Sequence, residues 1–130
     1  MSEKQKLLIV DDSELNRDIL KEILGSRYDY MEAENGTQAI QILEVHPEID
    51  LMLLDINMPQ MNGFQVLEHM RELQWIDEVP VVMISSEESV EIMRKAYDLG
   101  ITDYISRPFD AVIVKKRVQN TLGLYANQKR

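Results

Sequence analysis

Residues 6–16 read Lys6-Leu7-Leu8-Ile9-Val10-Asp11-Asp12-Ser13-Glu14-Leu15-Asn16. Four consecutive apolar side chains leave no polar face, the pattern of a strand covered on both sides. The run then ends in two adjacent carboxylates. Like charges side by side repel, so a pair of acids where a buried strand emerges calls for a reason beyond solubility. Comparable short runs recur at residues 30–33, 51–54, 81–84 and 103–105. The runs at 51–54 and 81–84 are also nearly continuous in apolar residues, which predicts a parallel sheet with both faces covered.

The intervening segments carry helical spacing. Ile19, Leu20, Ile23 and Leu24 make one apolar stripe, and Ala39, Ile40 and Leu43 a second. Phe64, Leu67 and Met70 make a third, Ile92, Met93, Ala96 and Tyr97 a fourth, and Val114, Val118, Leu122 and Tyr125 a fifth. Asn35-Gly36 and Asn62-Gly63 read as helix starts, Asp110 as a cap of the last helix, and Gly25 and Gly100 as helix ends. Five strands alternating with five helices predict one (βα)5 domain over residues 1–130: an α/β, doubly wound parallel sheet.

Composition sets the outer bounds. The chain has 130 residues, a length that suits one domain. With 45% hydrophobic and 28% charged residues it has the profile of a soluble globular protein. No cysteine is present, which removes disulfides, thiolate metal sites and thiol nucleophiles. No apolar run approaches the length of a membrane span or the core of a signal peptide, so a cytoplasmic location is the expectation. A net charge of −9 argues against nucleic acid as a partner. The basic group Lys115, Lys116 and Arg117, with Lys129 and Arg130 beyond it, reads as a solvated face. His46 before Pro47 reads as a turn, His69 as a helix surface and Trp75 as partial packing near the end of the third helix. The eight methionines read as adaptable core filler.

In open α/β sheets ligands sit beyond the carboxyl ends of the strands, where strand order reverses. With the order 2-1-3-4-5, that point lies between the first strand, which runs into Asp11-Asp12, and the third, which ends at Asp55. Three carboxylates from distant stretches would then share one crevice. Such a group needs a cation, and oxygen ligands without His or Cys favour Mg²⁺ over zinc. Because Mg²⁺ keeps part of its water shell and binds phosphate as well, phosphoryl chemistry is implied. The fourth strand ends in Ser85-Ser86, able to donate to a phosphate oxygen, and the fifth is followed by Arg107, a cation at the same edge. Each feature also has a plain structural reading. Asp12 or Ser13 can cap the first helix, Ser85-x-x-Glu88 matches a capping box, and a lone Asp at a strand end can open a turn. Their convergence on one edge favours the functional reading.

The segments LIVDD, LLDINMPQMNGF, VPVVMISS and GITDYISRPF, in this order and spacing, resemble the receiver domain of two-component response regulators over nearly the whole chain. The resemblance implies a flavodoxin-like fold and a 4-aspartylphosphate formed on Asp55. The phosphoryl group would come from a sensor histidine kinase or a phosphotransfer protein. Asp12 and Asp55 would bind Mg²⁺ directly, Asp11 mainly through water, and the Asn57 backbone carbonyl would be a further ligand. Ser85 and Tyr104 match the hydroxyl and aromatic positions that rearrange together on phosphorylation. Output would pass through the face around Tyr104 to an output domain, a partner protein or a second copy, the chain acting alone or as the N-terminal part of a longer protein. One position departs from the family: a lysine precedes the proline there, whereas this chain has Arg107-Pro108.

Three other functions share parts of this pattern. A Mg²⁺-dependent phosphohydrolase would use the same aspartyl nucleophile, but no cap insertion or substrate loop is visible. A pseudo-receiver acting only in protein interaction would be consistent with Arg107. Flavin binding on the same fold would call for a Ser/Thr/Gly-rich loop after the first strand, which is absent. The expectation is therefore a signalling module and not a metabolic enzyme.

Overall fold

The computed structural model describes residues 4–58, 61–86 and 89–125. The strands are β1 (Gln5–Val10), β2 (Tyr28–Ala33), β3 (Leu51–Asp55), β4 (Val81–Ser85) and β5 (Asp103–Ser106). They alternate with helices α1 (Glu14–Leu24), α2 (Gly36–Val45), α3 (Gly63–Glu72), α4 (Val90–Leu99) and α5 (Ala111–Tyr125). All strand pairs are parallel and the order is β2-β1-β3-β4-β5, as expected. No helix among the described residues is long and apolar enough to cross a membrane.

The unbroken apolar runs are explained by two cores, one on each face of the sheet. Successive strand side chains point to opposite sides. Leu8, Val10, Met52, Leu54, Val81 and Met83 accordingly pack with α2, α3 and α4. Leu7, Ile9, Leu51, Leu53, Val82 and Ile84 pack instead with α1 and α5. A polar residue at any of these positions would be buried without water on either side.

Local signals set most helix ends. Asn35 and Asn62 are N-caps whose side chains accept from the Gln38 and Gln65 amides, and Asn62 with Gln65 completes a capping box. Ser13, not Asp12, caps α1, accepting from the Asn16 amide. Asp110 accepts from the Ile113 amide at the start of α5. Gly25 and Gly100 end α1 and α4 at φ 81° and 113°, a region that disfavours any side chain.

Several details differ from the sequence reading. β2 starts at Tyr28, two residues earlier than the apolar run, because Tyr28 is itself core. β5 continues through Ser106, which pairs with Ser85. Trp75 opens a short 3-10 turn after α3, its ring edge-on to His69. Ser85 ends β4 and α4 starts only at Val90 with Ser89 as its cap, so Ser85 does not cap that helix. Glu88, Pro59, Gln60, Lys129 and Arg130 lie outside the described residues.

One glycine ties the fold to the site edge. A Cβ on Gly63 would lie 2.6 Å from the Ile56 Cα and 2.8 Å from the Asp55 carbonyl oxygen, so α3 starts pressed against the end of β3. Gly63→Ala is expected to cost about 2–3 kcal/mol through backbone displacement. Gly123, inside α5 with nothing within 4 Å of its added Cβ, should behave oppositely. Gly123→Ala is expected to gain ~0.5–1 kcal/mol of helix propensity. Urea unfolding midpoints of the two variants check both signs, and a neutral Gly63→Ala would show that the α3 start can yield.

Candidate functional site

Strand register builds the site. Val10 pairs with Leu54, Asp55 with Ile84 and Ser85 with Ser106. Asp11, Asp55, Ser85 and Arg107 therefore emerge side by side at the carboxyl edge of four adjacent strands. The Asp11, Asp12 and Asp55 carboxylates each offer an oxygen such that all three lie within 4.8 Å of one another. Asp11 and Asp55 are fully buried and Asp12 is exposed.

Each buried carboxylate is tied at one oxygen by its own chain. Asp11 Oδ1 accepts from the Ser13 amide at 2.9 Å, and Asp55 Oδ1 from the Asn57 amide at 3.0 Å. The other two oxygens face one cation. Arg107 Nη2 lies 2.7 Å from Asp11 Oδ2 and 3.0 Å from Asp55 Oδ2. The contact to Asp11 is an aligned hydrogen bond, whereas that to Asp55 is an ion pair without such alignment. Asp55 Oδ2 and Arg107 Nε are the buried side-chain polar atoms left without a hydrogen bond among the described residues, and both are in this crevice.

The electrostatics follow from this packing. Burial, aided by the neighbouring Asp11 charge, pushes the Asp55 carboxyl above its ordinary range, against the Asn57 amide and Arg107, which favour the ionised form. For Arg107, burial works against the charge, but Asp55 and Asp11 outweigh it and hold the guanidinium protonated. Three carboxylates against one guanidinium leave an excess of negative charge that suits a divalent cation. The buried Asp55 oxygen without an aligned hydrogen bond and the all-oxygen donor set fit Mg²⁺.

Other residues singled out from sequence sit close by. Ser85 is buried at the end of β4, and its carbonyl accepts from the Arg107 amide. Asn57 is exposed beside Asp55. Tyr104, on β5, is partly buried with its ring under the Arg117 guanidinium, 5.0 Å from the ring centre. Arg117 also holds the Asp103 carboxylate at 2.9 Å and the Tyr104 carbonyl at 2.7 Å. Arg117, expected on a solvated face, is instead half-buried against β5. Arg17, which the sequence does not single out, is nearly buried and reaches the Asp11 carbonyl at 2.6 Å. The available signal was its spacing, since Arg17, Leu20 and Leu24 form the buried stripe of α1.

The doubly wound sheet thus brings three acids, a hydroxyl and a cation to one carboxyl edge, the chemistry of a site for a divalent cation and an oxyanion. Comparison with known proteins narrows it. Residues 7–119 match the model of the response regulator receiver domain. The chain is 35% identical over 120 residues to chemotaxis protein CheY1 of Helicobacter pylori, covering 91% of this chain and 97% of that one. It is 32% identical over 120 residues to a chemotaxis protein CheY homolog of Campylobacter jejuni, covering 91% and 92%. The solved structure of chemotaxis protein CheY4 of Vibrio cholerae superposes with a TM-score of 0.82 at 27% identity, covering 92% of this chain and 99% of that one. The chain belongs to the response regulator receiver domain family. Members of this family are signalling modules of two-component systems, and they bind Mg²⁺ at an acidic site.

Proposed function

We propose that this receiver accepts one phosphoryl group on Asp55 from a histidine-phosphorylated partner and changes its output surface in response. The observation that carries the reading is Asp55 Oδ2: buried, without an aligned donor, and beside two further carboxylates. That oxygen forms the O–P bond as the donor's bond to phosphorus breaks, giving an acyl phosphate. Asp11, Asp12 and Asp55, with the Asn57 backbone carbonyl, would hold Mg²⁺, which supplies positive charge against that developing on the phosphoryl oxygens. The chain's own residues supply the rest. The Asn57 amide fixes Asp55 Oδ1, so that Oδ2 is the oxygen presented. Arg107 leaves its carboxylate contacts to hold a phosphoryl oxygen, and the Ser85 hydroxyl donates to another. In this reading residues 1–130 act as one receiver, and the output goes to a partner protein, a linked domain or a second copy.

Incubation with acetyl phosphate and Mg²⁺ should add one phosphate by intact mass. Borohydride reduction and peptide mapping should then place the modification at residue 55, with no incorporation in EDTA. Modification at another residue, or none, would remove the assignment and favour a receiver that acts only by docking.

Switching would draw on Ser85 and Tyr104. Once Ser85 turns toward the phosphoryl group, the space beside it admits the Tyr104 ring, which must then leave its stack against Arg117. Beryllofluoride, a mimic of the acyl phosphate, should shift amide resonances at residues 55, 85 and 104 and along α4 from Ile92 to Tyr97. Shifts confined to the acidic crevice would refute the coupling.

A further inference from the structure

Arg17 stands where a core residue belongs. With Leu20 and Leu24 it makes the buried stripe of α1, and it lies in the first turns of the helix, where the backbone dipole disfavours a cation. A buried guanidinium at that end carries two penalties, so its hydrogen bonds are informative. Nε meets Glu32 Oε1 at 2.9 Å, and Glu32 is held in turn by Lys21 at 2.8 Å. Nη1 donates to the backbone carbonyl of Asp11 at 2.6 Å.

That carbonyl matters because of what it shares a plane with. Asp11 is pinned at every other polar point: its amide by Ala33, Oδ1 by Ser13 and Oδ2 by Arg107. Asp12 is exposed, and its carboxylate accepts no hydrogen bond among the described residues. Its position beside Asp11 and Asp55 depends on the Asp11–Asp12 peptide. A planar peptide held at its oxygen fixes the direction of the next amide and Cα.

We infer that Arg17 is a positioning residue for the metal site, acting through the Asp11 carbonyl to aim the Asp12 carboxylate at Asp11 and Asp55. The inference rests on the Mg²⁺ reading given above. The plainer role, a staple joining β1, α1 and β2 through Glu32, makes a different forecast. A staple is lost equally by cutting it at Arg17 or at Glu32, whereas positioning is lost only when the carbonyl contact goes.

Calorimetric Mg²⁺ binding, with unfolding midpoints in EDTA, separates the two. Arg17→Met fills the stripe with an apolar chain of similar length, and Arg17→Gln keeps a polar head too short for the carbonyl. Both are expected to bind Mg²⁺ about tenfold more weakly than the parent, the usual size of an outer-shell loss. Arg17→Lys, which keeps a donor of comparable reach, should recover part of that loss. Glu32→Gln should lower the unfolding midpoint in EDTA yet keep the Mg²⁺ constant within about twofold, because Nη1 retains the carbonyl. Should Arg17→Met fail to fold, Arg17→Gln decides the same point. Parent-like Mg²⁺ constants in the folded Arg17 variants, or an equal loss in Glu32→Gln, would overturn the inference alone. A parent that binds no Mg²⁺ would overturn the metal reading as well.

Discussion

Arg107→Ala is expected to destabilise the metal-free protein by about 3 kcal/mol at neutral pH, roughly 150-fold in the folding constant. Asp11 and Asp55 are both fully buried, and Arg107 is the cation lying between them. Removing it leaves two like charges out of water with only backbone amides for support. The low end of the range for breaking a buried pair applies because the Arg107 side chain is 24% exposed and water can partly replace it. The loss should also depend on pH. Burial raises the Asp55 carboxyl above its ordinary value of 3.8. A group so shifted favours folding below that value, and the contribution is lost as pH rises through the folded pKa. Stability of the variant in EDTA should therefore improve as pH falls below neutral. Mg²⁺ should restore more stability to Arg107→Ala than it adds to the parent, because the parent's guanidinium already occupies the two carboxylates. Urea unfolding of both proteins, with EDTA and with Mg²⁺, gives all these quantities. An unchanged midpoint for the variant in EDTA would mean that the ion pairs contribute nothing net.

The same contact bears on the exchange of lysine for arginine. The guanidinium must leave Asp11 and Asp55 before it can hold a phosphoryl oxygen, and its planar fork is bulkier than an ammonium. Labelling by acetyl phosphate is thus expected to run faster in Arg107→Lys than in the parent, with Arg107→Ala slowest. A slower Arg107→Lys would show that arginine is adapted to this crevice.

Mg²⁺ at a hundredfold excess over its dissociation constant should stabilise the parent by about 2.7 kcal/mol, since it binds the native state and not the unfolded chain. In a domain of this size that is a rise of roughly 10 °C in melting temperature. Asp12→Ala should abolish most of it, because one of three clustered oxygens is lost. The same substitution should raise the melting temperature in EDTA, by relieving repulsion among three carboxylates that the single Arg107 guanidinium offsets only in part. Scanning calorimetry under the two conditions checks both signs. An undiminished Mg²⁺ response in Asp12→Ala would put the ion elsewhere and remove the basis for the proposed site.

Much of this molecule is legible in its sequence. The runs at 7–10, 51–54 and 81–84 lack polar residues because each strand has a core on both faces, and that demand is written locally. Asn35, Asn62 and Asp110 bond to amides three residues away, so their roles are readable within one turn of chain. Given parallel strands and a switch point, the carboxylates at 11, 12 and 55 could meet only at one edge. What remained hidden involves side chains that reach across the fold. Arg107, expected at this edge, takes Asp11 as its hydrogen-bond partner across 96 positions of sequence, Arg117 stacks on Tyr104 while staying partly exposed, and Arg17 enters the core to reach a carbonyl and Glu32. Long, charged side chains have no periodicity that reveals their partner. Their apolar stems lie equally well along a core or a surface, and only packed neighbouring elements decide where the charged head finds its acceptor.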